Sequence, residues 1–106
     1  MTSWQPPEET DSAIRAWMNK QGWPVTATHY DFDRLSYAWR HDVGSECYTL
    51  LITRRVIKDT EPLALVKALN FWKVAEKLRE QPDAYTLVKS SPSTGLVVEQ
   101  LPGPPH

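Results

Sequence analysis

Two periodicities run along this chain. Over the first twenty residues Ala13, Ile14, Trp17 and Met18 form one apolar stripe at helical spacing, and Glu8, Glu9 and Asp11 suit the electropositive first turn of a helix. Pro6 and Pro7 lead into this helix, and Gly22 is a C-terminal stop. Trp23-Pro24 favours an extended exit, because a residue before proline avoids the helical region. The period then shortens. Residues 25–32 (VTATHYDF) read as a strand, Asp33-Arg34 as a turn, and residues 35–41 (LSYAWRH) as a second strand. Residues 42–46 (DVGSE) hold a glycine at their centre and read as another turn. Residues 47–57 (CYTLLITRRVI), rich in β-branched and aromatic side chains, are the strongest strand.

Helical spacing returns over residues 61–80, with Thr60 as a cap and Pro62 tolerated in the first turn. At 100° per residue Ala64, Leu65, Ala68, Phe71, Trp72, Ala75 and Leu78 fall on one broad face, opposite Asn70, Lys73, Lys77 and Glu80. Residues 84–90 (AYTLVKS) and 95–101 (GLVVEQL) read as two more strands, with a turn or loop over 91–95. The expected fold is α+β: a two-layer sandwich whose mainly meander, antiparallel sheet of 4–5 strands is packed by two helices, in the order α-βββ-α-ββ. One domain spans residues 1–106, with residues 1–7 and 101–106 as flexible tails.

Alternation assigns faces. A first hairpin turning at residues 33–34 sets Thr28 opposite Trp39, His29 opposite Ala38 and Tyr30 opposite Tyr37. With a second turn near residues 43–44, Tyr48, Leu50 and Ile52 join Leu35, Tyr37 and Trp39 on the face beneath the helices. His29, Asp31, Arg40, Cys47, Thr49, Thr53 and Arg55 take the other face, interrupted by Leu51 and Ile57. His29 and His41 therefore point to opposite sides of the sheet.

Charge sharpens this picture. The net charge is -1, which opposes long-range attraction to nucleic acid or anionic membrane. The halves differ: residues 1–49 carry four basic and seven acidic side chains, whereas residues 50–89 carry eight and five. A local basic patch is compatible with that asymmetry. Cys47 is the sole cysteine, so no intrachain disulfide forms, which suits a reducing compartment. The start MTSWQPPEET has neither a basic region nor an apolar run, and no stretch approaches the roughly twenty apolar residues of a membrane span. A cytoplasmic location without membrane association is expected.

Candidate chemistry is sparse. His29, Asp31 and Asp33 form an HxDxD pattern, but alternate strand residues lie about 7 Å apart, and an Asx turn at Asp31 or Asp33 accounts for the aspartates. No metal or other cofactor is implied. Cys47 with a histidine suggests thiol chemistry, yet Cys47 opens a strand and gains no helix dipole. The glycines are four and scattered, so no phosphate-cradling loop is present. The favoured reading is a non-catalytic protein-interaction or accessory domain, self-associating or bound to a protein partner through Trp4 and the edge residues Leu96 and Val98. One alternative is single-stranded nucleic-acid binding on a basic surface, with His29, Arg40, Arg54 and Arg55 as contacts. Another is a small-ligand or enzyme site around His29, Arg40 and Cys47, which requires those side chains to converge.

Overall fold

The first apolar stripe becomes α1 (Glu8–Lys20), which buries Ile14, Trp17 and Met18. It ends where Gly22 adopts a positive φ of 90° and the Trp23 amide donates back to the Met18 carbonyl at 2.9 Å. The structure, a computed structural model, describes residues 4–91 and 95–102. The expected tail residues 1–3 and 103–106, and residues 92–94 of the expected loop, lie outside the described residues.

β1 (Ala27–Asp31), β2 (Ser36–Val43) and β3 (Glu46–Thr53) form the antiparallel meander. The register follows the expected alternation: Thr28 pairs with Trp39, His29 with Ala38, and Tyr30 with Tyr37. A two-residue turn joins β2 to β3, with Gly44 at a φ of 58°, a conformation glycine adopts without a Cβ penalty. Five further elements follow: α2 (Arg54–Asp59), α3 (Pro62–Phe71), α4 (Val74–Glu80), and the hairpin of β4 (Tyr85–Ser91) and β5 (Gly95–Leu101). Spatial strand order matches sequence order, β1-β2-β3-β4-β5. β4 nevertheless runs parallel to β3, pairing Thr49 with Tyr85 through Ile52 with Val88, so α2, α3 and α4 form the crossover between them. The result is an α+β sandwich on a mixed, mainly antiparallel five-stranded sheet.

Three local expectations differ from the structure. The strand expected over residues 47–57 stops at Thr53, because the Thr53 hydroxyl accepts a hydrogen bond from the Val56 amide at 3.3 Å and caps α2. Arg55 and Ile57 are thus helical, and Ile57 enters the core. The single helix over residues 61–80 is broken by Lys73, whose φ of 54° and ψ of 43° are left-handed. That break changes which side chains are covered: Leu65, Leu69, Val74 and Leu78 are buried, whereas Phe71 is 77% exposed and Trp72 is also exposed. The helical layer therefore has four helices among the described residues rather than two. Leu35 leaves the core face as well, since it sits in the β1–β2 turn with a φ of 47° and is exposed.

The main core lies between the helices and one sheet face, centred on Trp39, Leu50, Ile52 and Val88. Trp39 is fully buried, and its indole N–H donates to Asp11 Oδ1 at 2.9 Å, which ties α1 to the middle of the sheet. The Trp17 N–H donates likewise to Asn70 Oδ1 at 2.9 Å and ties α1 to α3. The opposite face carries a smaller apolar cluster of Ala38, Leu51 and Leu87, flanked by Tyr85 and Leu101. The Cα radius of gyration, 12.8 Å, is that of a compact folded chain. No described helix is long and apolar enough to cross a membrane.

Among the described residues one buried side-chain polar atom is unsatisfied. Thr86 lies wholly inside the sheet, and its Oγ1 has no hydrogen-bond partner among the described residues. An unpaired buried hydroxyl costs about 1–3 kcal/mol. Thr86→Val, which keeps the shape and removes that oxygen, is expected to stabilise the protein by about 1 kcal/mol or more. Urea unfolding checks this, and a lower midpoint for the variant would refute it.

Candidate functional site

A cleft of about 540 Å³ opens where β3 and β4 end side by side. Parallel pairing brings the C-terminal ends of both strands to one edge of the molecule, the usual place for a ligand in parallel sheets. Thr53 closes β3, and its cap immediately starts α2, so Arg54, Arg55 and Lys58 follow around the rim. β4 supplies Lys89 and Ser90, and the β1–β2 turn supplies Arg34 and Leu35. Five cationic side chains from three separate segments thus line one cleft, where Asp59 is the single acidic one among the described residues.

The turn is firmly held. The Arg34 amide donates to Asp31 Oδ1 at 3.1 Å, and its guanidinium donates to Asp31 Oδ2 at 2.9 Å. The Ser36 hydroxyl donates to the Arg34 carbonyl at 2.8 Å, and the Arg54 amide donates to the Leu35 carbonyl at 2.8 Å. Asp31 is therefore the anchor of an Asx-type turn.

The cations differ in how far they are neutralised. Lys89 pairs with Glu99 at 2.6 Å, and Arg55 with Asp59 at 4.0 Å between well-exposed side chains. Arg54 lies over the Trp4 ring, 5.9 Å from its centroid. Lys58 is exposed and makes no ion pair among the described residues. Counting Asp31, Asp59 and Glu99 against the five cations leaves the cleft with a net charge of +2. The two exposed pairs, Lys89–Glu99 and Arg55–Asp59, are each worth about 0–1 kcal/mol. A smaller cleft of about 260 Å³ lies beyond α2 and includes Glu9, Asp59 and Glu61, which bounds the basic region on that side.

An aromatic ridge adjoins the cleft. Trp4 packs against Tyr30 at 6.0 Å and Tyr37 at 6.3 Å, and Tyr30 meets Phe32 edge-to-face at 4.8 Å. Arg54, Trp4, Tyr30 and Phe32 thus form one continuous series, ending in a Phe32 ring that is 65% exposed.

The other side chains singled out from sequence lie elsewhere. His29 and Arg40 are on the sheet face away from the helices, and register places Arg40 about 13 Å down β2 from the Ser36 end. Arg40 donates to Asp42 at 3.0 Å, and the Cys47 thiol lies 3.3 Å from the Thr49 hydroxyl. Cys47 and His29 are four residues apart along the strands and two strands apart across the sheet, roughly 13 Å and 10 Å. They form no thiol–imidazole pair. His41, on the opposite face, bonds the Pro24 carbonyl through Nδ1 at 2.7 Å. Leu96 and Val98 are half-buried on β5, packed against the main core. Among the described residues no group of three or more side chains is placed to hold a metal ion.

Sequence reading picked out Arg54 and Arg55 but not Arg34 or Phe32. The Asp-Phe-Asp-Arg run at residues 31–34 was the available signal, an Asx turn that sets an arginine beside a hydrophobic side chain outside any strand.

The Arg40–Asp42 corner is pH-sensitive. Hydrogen bonding with the Cys47 thiol, then the Arg40 guanidinium and the Thr26 hydroxyl, hold the Asp42 carboxyl below its ordinary range. A carboxyl lowered by folding stabilises the native state above its unfolded pKa, near 4, and loses that contribution as pH falls through the lower folded value. Asp42 is 45% exposed, so the effect is limited to about 1 kcal/mol or less. Asp42→Asn should lose that amount at neutral pH and match the parent protein in acid below both values. Urea unfolding at the two pH values tests this, and an equal deficit at both would refute it.

No protein-family model, curated protein or solved structure matches this chain.

Proposed function

We propose that this chain is a non-catalytic binding domain and that the basic cleft at the ends of β3 and β4 takes a phosphate-bearing ligand. The observation that carries this reading is the convergence of Arg34, Arg54, Arg55, Lys58 and Lys89 on one opening. Guanidinium groups present planar donor forks that match phosphate oxygens, and an ammonium adds a point charge. The separation of Cys47 from His29 takes away the thiol–imidazole pair that the sequence offered.

Titration with inorganic polyphosphate tests the reading. Binding should weaken as salt rises. Arg55→Glu and Lys58→Glu, both on exposed rim positions, should each reduce affinity by about tenfold or more, the loss expected for a charge-assisted contact. Affinity indifferent to both substitutions would overturn it.

A second reading is self-association through β5. This seven-residue strand pairs in unbroken register with β4, and Glu99 is its only charged residue. Edge strands that avoid pairing usually carry bulges, prolines or several charges. Light scattering across a wide concentration range should then show a dimer that substitution of Leu96 or Val98 weakens. A monomer throughout would rule this reading out.

A further inference from the structure

We propose that the phosphate-bearing ligand of this cleft is single-stranded nucleic acid, with phosphates among the cations and a base stacked on Phe32. The inference rests on the anion-binding reading of the same cleft and adds the base.

Phe32 and Leu35 are 65% and 61% exposed. Both stand on a turn held by four hydrogen bonds, from the Arg34 amide and guanidinium, the Ser36 hydroxyl and the Arg54 amide. A turn so well fixed does not expose two large apolar side chains through looseness. Leu35 also carries a φ of 47°, a conformation that is strained for a leucine. The Tyr30 contact covers only part of Phe32, and the exposed remainder suits a ligand that is planar and apolar on one side and anionic on the other.

The adjoining ridge supplies the stacking surface. Phe32 meets Tyr30 edge-to-face, with ring planes at 86°, which leaves most of the Phe32 surface for a planar group. The ridge runs back through Tyr30 and Trp4 to Arg54, already at the cleft. A positively charged groove beside stacking aromatics is the combination that holds single strands without strong sequence preference. A duplex hides its base faces and requires a longer basic surface. Here the acidic side chains of Glu9, Asp59 and Glu61 confine the basic region, and the net charge of -1 adds no broad attraction. An acidic or phosphorylated peptide would use the cations but has no general need for the exposed ring.

Fluorescence anisotropy with a labelled oligothymidylate tests the proposal, with inorganic polyphosphate, a duplex and a phosphopeptide as competitors. Circular dichroism confirms that each variant is folded. Engaging three to five phosphates predicts a log–log salt slope of about -2 to -3.5 for a single strand. Phe32→Ala should weaken oligothymidylate roughly 5- to 150-fold, the span of one base–aromatic stack, and leave polyphosphate binding unchanged. Arg55→Glu should weaken both. Phe32→Leu, which keeps apolar bulk but loses the flat ring, should resemble Phe32→Ala and serves in its place if that variant misfolds. Unchanged oligothymidylate binding in the Phe32 variants would overturn the inference, as would tighter binding of the duplex or the phosphopeptide, and either result leaves the anion-binding cleft standing. Failure of oligothymidylate and polyphosphate alike would overturn both.

Discussion

Parallel pairing of β4 with β3 is the constraint on which the rest of the molecule depends. A parallel neighbour cannot follow through a tight turn, so the chain must return to the starting end of β3 before β4 begins. Residues 54–80 make that return as α2, α3 and α4, and they cover one face of the sheet while doing so. Both strands become interior. Leu50, Leu51 and Ile52 are buried in succession, and so are Thr86, Leu87 and Val88. Such continuous burial is typical of parallel strands and differs from the half-exposed alternation of β1. The buried Thr86 hydroxyl is a cost of placing a polar residue in that position.

The same constraint organises charge. With a net charge of -1 the chain has no global electropositive field. Yet the C-terminal ends of β3 and β4 must lie together, and each is followed or flanked by basic residues. Arg54 and Arg55 follow Thr53 because its cap converts strand directly into helix. Lys89 is the third residue from the end of β4. Arg34 arrives from a different hairpin, directed by the Asp31 turn. The neighbouring acids Asp31, Asp59 and Glu99 hold these side chains in place without cancelling the charge. Asp31 fixes the turn that carries Arg34, whereas the Arg55–Asp59 and Lys89–Glu99 pairs lie between exposed side chains and are weak.

Alternation along residues 27–53 was enough to assign the register of the first hairpin and the face of Trp39, Leu50 and Ile52, because a slip by one residue would turn Trp39 to the wrong side. Local patterns failed where two structures share one composition. Val56 and Ile57 favour a strand intrinsically, but the Thr53 cap and burial in the core make them helical. Phe71 and Trp72 matched a helical face that continues only if the helix does, and Lys73 breaks it. Of the candidate site, the basic character of Arg54 and Arg55 was legible, whereas their meeting with Arg34 and Lys89 was not.

The sequence by itself determined the α+β class, the succession of helices and strands along the meander, the first helix and the core face of the meander. Those follow from side-chain period, turn residues and caps, which act over a few neighbouring positions. Tertiary structure alone decided that β4 lies parallel to β3, that Trp4 rests on Tyr30 and Tyr37, and that five cations share one cleft. Arg34 and Lys89 are far apart in the chain, and no local period couples them. Only the pairing of strands distant in sequence, stabilised by burial of the central core, brings them to the same opening.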